Sequence, residues 1–149
     1  DGSEASMAAA DHAIELAATH GATLRLLYVV DVSSLAADDF GTVVLDNLEQ
    51  AGRTALEDLA ERAEAAGVET VTVVETGTPH REIIDDALAS AADVVVMGTH
   101  GRTGLDRFLL GSVSERVVRS AGVPVLVVPP RGLEGDAEAD ESGTEPDTE

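Results

Sequence analysis

The stretch Asp93-Val94-Val95-Val96-Met97-Gly98-Thr99-His100-Gly101, followed nine residues later by Gly111-Ser112, decides the fold class of this chain. Residues 93–97 are wholly apolar after the aspartate, too short for a helix and suited to a strand buried on both faces. Glycines space the segment 98–111, and residues 112–121 then read as a helix. Val123-Pro124-Val125-Leu126-Val127-Val128 is a second apolar run, closed by Pro129-Pro130. A strand, a glycine loop, a helix and another strand apolar on both faces make a unit of a parallel sheet covered by helices.

The rest of the chain repeats that alternation. Residues 3–20 predict a helix with Ser3 as cap, Glu4 at its positive end, and Met7, Ala10, Ile14 and Ala17 on one face; Gly21 stops it. A strand follows over 22–32, then a loop over 33–42. A long helix over 43–66 carries the stripe Leu45, Leu48, Leu56, Leu59 and Ala63 and ends at Gly67. Residues 68–75 are a β-branched strand. Pro79 opens a helix over 79–90 with Ile83, Ile84, Ala87 and Leu88 as its buried side. The fold class is therefore α/β, with an open, mostly parallel sheet and helices on both faces. Asp1-Gly2-Ser3 stands immediately before a helix, where alternation expects the carboxyl end of a strand. The expectation is that a first strand lies outside this sequence.

The length of 149 residues suits one domain, and 44% hydrophobic residues supply a core. No apolar run approaches the ~18 residues of a membrane span, and no basic-apolar leader is visible. The absence of cysteine excludes disulfides, thiol catalysis and thiolate-bound metal. These features fit a cytoplasmic protein. Charge is the outlier: 29 acids face nine bases, giving -20, and all nine bases are arginine. Such a charge repels nucleic acid and anionic membranes. Eight of the acids fall in residues 134–149, so the remainder still carries 21 acids against nine arginines, or -12. Residues 1–130 are expected to form the domain, and 131–149 a disordered acidic tail. The acid-rich, lysine-free, alanine-rich composition resembles proteins of extreme halophiles, whose self-repulsion is screened in molar salt. An ordinary acidic protein is the alternative.

Ligands of open α/β sheets bind beyond the carboxyl ends of the strands. Three segments occupy such ends: Asp1, residues 29–32, and residues 97–101. The third reads G-x2-G-x9-G-S into a helix start, where glycines let amides approach phosphate and the helix dipole favours an anion. Ser112 and Ser114 add hydroxyls in the first turn. Without lysine there is no P-loop, and G-x-G-x-x-G is also absent. Taken singly, each glycine is more often a turn former, Asp1 a turn residue, and His100 a loop histidine bonded to backbone. Arg102 and Arg107 fit pairing with Asp106 or other acids better than phosphate. Asp38-Asp39 and Asp85-Asp86 read as solvated faces, and His12, His20 and His80 lack metal-site spacing.

With that spacing, and with the closing P-V-L-V-V-P, the sequence resembles the universal stress protein family up to Pro129. The resemblance implies a five-stranded, Rossmann-like parallel sheet of the adenine nucleotide alpha hydrolase type, and a homodimer through the last strand, Val123 to Val128. It implies ATP, with Mg²⁺ on the phosphates, as ligand of one subgroup. Gly98, Gly101, Gly111, Ser112, Val113 and Ser114 would then surround phosphates and ribose, with His100 beside them. Asp1 matches a nucleoside contact, and Val29 and Met97 match apolar positions near the adenine.

Three functions compete. The first is a stress-response regulator that holds ATP. The second is a slow ATPase or self-phosphorylating enzyme, although no dedicated base or water-positioning carboxylate stands beside the glycine loop. The third is a stress protein acting through protein contacts alone, against which the intact glycine spacing argues.

Overall fold

A computed structural model of the chain describes residues 1–33, 41–100 and 110–131. The element order is α1 (Glu4–His20), β1 (Leu24–Asp31), α2 (Gly41–Ala65), β2 (Thr70–Gly77), α3 (Pro79–Ala89), β3 (Val95–Gly98), α4 (Ser112–Ser120) and β4 (Val125–Val128). The alternation is as the sequence predicts, with no strand end shifted by more than two residues. Gly21 closes α1 in the left-handed conformation, φ 62°, donating to the Ala17 carbonyl.

The strands form two parallel pairs rather than one continuous sheet. Leu24 stands opposite Thr70 at the start of β1–β2, and Val95 opposite Val125 at the start of β3–β4. No ladder joins β1 to β3 among the described residues. The five-stranded expectation is therefore met only as two flanking ribbons, because no described strand pairs with both inner edges.

Helices cover both faces. α1 packs on β3, β4 and β1, and α2 on β1 and β2. On the other side α3 touches β1, β2 and α4. Leu26, Tyr28 and Val30 alternate along β1 into one core with Leu56 of α2. Leu45, Leu48 and Leu59 pack against that core as predicted. A second core joins Ala8 and Ala9 of α1 to Val128 and Val96. Burying a leucine or valine such as Leu26, Val30, Leu56 or Val128 contributes roughly 1.5–3 kcal/mol.

Two predicted core residues are displaced. Met7 is 37% exposed, because α1 presents Ala5, Ala8, Ala9, Ala13 and Ala17 instead. These small residues bring α1 close to the strands. Leu88 is 59% exposed, and α3 buries Ala87. Asp86, expected on a solvated face, is instead half-buried and bound by Arg25 of β1 at 2.7–3.1 Å. That contact holds the guanidinium pKa above its ordinary value, chiefly through the hydrogen bond to Asp86.

Candidate functional site

The site is built at the carboxyl end of β3. Gly98 is its pivot, because an added Cβ would lie 2.7 Å from the Ala5 carbonyl carbon and 2.9 Å from the Ser6 amide nitrogen. The glycine is thus required by the close approach of α1, a reason other than phosphate contact. Its carbonyl accepts from Ser114 Oγ at 2.8 Å, and Ser114 is 3% exposed. The Ser114 hydroxyl therefore ties α4 to β3 and donates inward.

Gly111 is the second pivot. Its amide donates to the Thr99 carbonyl at 2.7 Å, so that N–H is already engaged. An added Cβ would meet Thr99 O at 3.2 Å. Gly111 is the N-cap of α4, extended at φ -64° and ψ 159°, and supplies no side-chain cap. The amides of Ser112, Val113 and Ser114 consequently have no acceptor among the described residues. Glu115 does not fill that role, since its carboxylate pairs with Arg119 one turn on at 2.8 Å. Ser112 is exposed.

The start of α1 meets the same junction. Ser3 Oγ accepts from the Ser6 amide at 3.2 Å and donates to the His100 carbonyl at 3.4 Å. The Ser3 amide donates to Asp1 Oδ1 at 3.0 Å, so Asp1 forms the turn before α1. Thr99 Oγ1 lies 2.8 Å from His100 Nδ1. Met97 is half-buried in β3, one residue before the pivot.

The structure thus brings together Asp1, Met97, Gly98, His100, Gly111, Ser112, Val113 and Ser114. Val29 stands on the other ribbon, near the end of β1, with no hydrogen bond to this cluster. Gly101, Arg102 and Arg107 lie outside the described residues, as do residues 132–149. Ser3 and Thr99 hold the junction together through contacts that the sequence reading does not show. Ser3 was legible as a cap, but nothing local reports its reach across to His100. Beside Val29, Asp31 ends β1 with its carboxylate held below the usual range by the Ser33 hydroxyl and amide.

Among the described residues no group of three His, Cys, Asp or Glu side chains is arranged to hold a metal ion. No helix there is long and apolar enough to cross a membrane. What the junction offers chemically is three amides at a helix start with no acceptor among the described residues, next to hydroxyls, a histidine and a carboxylate. That suits an anion carrying further hydrogen-bonding groups.

Comparison with known proteins agrees with this architecture. The chain is 44% identical over 131 residues to universal stress protein MJ0531 of Methanocaldococcus jannaschii, covering 86% of this chain and 77% of that one. It is 33% identical over 138 residues to universal stress protein YxiE of Bacillus subtilis, covering 86% and 93%. The solved structure of protein MJ0577 superposes with a TM-score of 0.78 at 30% identity, over 89% of this chain and 92% of that one. A universal stress protein solved in complex with cAMP matches with a TM-score of 0.62 at 27% identity, over 87% and 91%. The model of the universal stress protein family matches residues 1–129, and the chain belongs to that family.

Proposed function

We propose that this chain binds ATP at the start of α4 and acts as a dimeric stress-response regulator in the cytoplasm, holding the nucleotide rather than turning it over. The observation that carries this reading is the group of three amides at Ser112, Val113 and Ser114 that have no acceptor among the described residues, reached through the G-x2-G-x9-G-S spacing. The relative solved with cAMP supports an adenine nucleotide as the ligand class. On this reading phosphate lies on those amides, Gly98, Gly101 and Gly111 shape the loop, and His100 lies beside it. Asp1 contacts the nucleoside, and Val29 and Met97 face the adenine. Mg²⁺ enters on the phosphates. The two ribbons are the flanks of one five-stranded sheet, within a domain of residues 1–130 followed by an acidic tail.

Titration calorimetry of the full chain with ATP and Mg²⁺ in molar KCl tests the reading. Saturable binding at one site per chain is expected, with turnover far below the ~1–1000 per second of ordinary enzymes. No heat of binding overturns it in favour of a protein-contact role, and ordinary turnover overturns it in favour of an enzyme. Molar KCl is chosen because the -20 charge supports a halophilic origin, with stability rising from dilute buffer to high salt. Equal melting temperatures in both would remove that support.

The dimer is assigned to the outer edge of β4, where Leu126 is 39% exposed. An exposed apolar edge pairs readily with its own copy across a two-fold axis. Leu126→Arg is expected to sediment as monomer; a dimer would place the interface elsewhere.

A further inference from the structure

Among the described residues, Ser114 is the one polar side chain that is buried. It lies on the inner face of α4 in line with Val117 and Ala121, where packing alone would be served by an alanine. Its hydroxyl is used for something else. Ser114 Oγ donates to the Gly98 carbonyl at 2.8 Å. A hydroxyl has one proton to donate and otherwise only lone pairs. With that proton given to Gly98, none is left for an anion beyond the helix start, and a lone pair turned outward would repel one. The expectation that Ser112 and Ser114 both add hydroxyls to a phosphate therefore divides: Ser112 is exposed, whereas the Ser114 hydroxyl is spent inward.

What the bond does follows from helix geometry. Amides in the first turn point back along the axis, out of the helix start, while side chains leave sideways. Ser114 thus turns its N–H toward the open end of α4 and its hydroxyl toward the sheet. That hydroxyl joins the helix to Gly98, the last residue of β3. The Gly111 amide joins it to the next carbonyl, Thr99, at 2.7 Å, and the Thr99 amide is held by Val128 of β4 at 3.0 Å. Two adjacent carbonyls at the strand end are therefore each covered by a donor from the start of α4. Carbonyl oxygens are the negative ends of their dipoles and oppose an anion when left bare. Of the two bonds, only the one from Ser114 depends on a side chain.

We infer that Ser114 is a positioning residue of the phosphate site: its hydroxyl, bonded to the Gly98 carbonyl, sets the amides of Ser112, Val113 and Ser114 against the ligand without touching the ligand itself. The inference rests on the nucleotide reading and deepens it, since of the two serines only Ser112 is left to offer phosphate a hydroxyl. All three amides ride on one helical turn, so a shift of that turn misplaces them together.

The test titrates the isotope-labelled full chain with ATP and Mg²⁺ in molar KCl, following the Gly98 carbonyl carbon and the amides of residues 112–114 by NMR. The amide signals should shift saturably, while the Gly98 carbonyl keeps its position because the hydroxyl stays on it. Ser114→Ala should move that carbonyl upfield before any ATP is added, and should weaken ATP binding by at least about 10-fold. Ser114→Thr keeps the hydroxyl and should restore the carbonyl signal, with affinity within about threefold of the parent. If ATP moves the Gly98 carbonyl of the parent as far as Ser114→Ala does, the hydroxyl has crossed to the ligand; the proposal is then overturned and the nucleotide reading stands. A folded Ser114→Ala protein that binds ATP as tightly as the parent overturns it equally. Amides at 112–114 that ignore ATP overturn the nucleotide reading, and this proposal with it.

Discussion

Helices α1 and α4 start against the same pair of residues, Thr99 and His100, and are finished in opposite ways. α1 begins with Ser3, whose hydroxyl takes the Ser6 amide, and with an acid, Glu4, in the first turn. α4 begins with a glycine that has no side chain to cap with, and its first-turn acid pairs with Arg119. Two helix starts with the same dipole thus differ in what they leave for a ligand: α1 occupies its third amide, Ser6, with its own cap, whereas α4 has no side-chain cap among the described residues. A helix start alone is common in proteins. Its pairing with a closed neighbour shows where local sequence withheld a cap that it supplied elsewhere.

The largest expected effect tests the pivot that both helices share. Gly98→Ala pushes a methyl group into the α1 backbone, and overpacking of that kind costs about 1–3 kcal/mol. Urea unfolding measures it. A neutral Gly98→Ala would mean that α1 is not held close to β3, and the comparison would lose its common frame.

Removing the α1 cap is the next largest change. Ser3→Ala should lower stability by about 0.5–2 kcal/mol, the range for lost N-caps. ATP affinity of the folded variant should stay within about threefold of the parent. A loss of affinity as large as that from an α4 variant would show that the two starts form one site and are not a closed and an open one.

How far this arrangement was legible in the sequence depends on range. The order of elements followed from apolar periodicity, and Ser3, Gly21 and Pro79 marked helix ends correctly because caps act through bonds within a few residues. The burial of Met7 and Leu88 was misjudged, because helical periodicity gives a face but not which face meets the sheet. The alanines of α1 won that position through close packing. The glycine spacing was read as room for phosphate. At Gly98 the room is filled by Ala5 and Ser6, residues more than ninety positions away that no local pattern reports. At Gly111 the amide goes to Thr99. The donors that have no acceptor among the described residues lie one to three residues further on.

The smallest effect belongs to the other ribbon and serves as a control. Asp31 is held below its ordinary pKa by Ser33, so its contribution is present above the unfolded value near pH ~4 and fades as pH falls through the lower folded value. Asp31→Asn should therefore narrow the stability difference between pH 7 and pH 3 slightly, measured by thermal melts across that range. An unchanged pH profile would detach Ser33 from Asp31.

The open start of α4 is tested most directly by Ser112→Pro, compared with Ser112→Ala, in ATP calorimetry at molar KCl. Proline is accepted at the first helical position, and Gly111 at ψ 159° already has the extended backbone that precedes proline. The variant deletes the Ser112 amide while keeping the helix, whereas alanine deletes the hydroxyl alone. With one charge-assisted bond to phosphate worth ~1.5–3 kcal/mol, Ser112→Pro should weaken ATP binding by at least about 10-fold at nearly unchanged melting temperature. Ser112→Ala should cost less. A folded Ser112→Pro protein that binds ATP as tightly as the parent would contradict the account, because the amides of α4 would then not be where the phosphate is held.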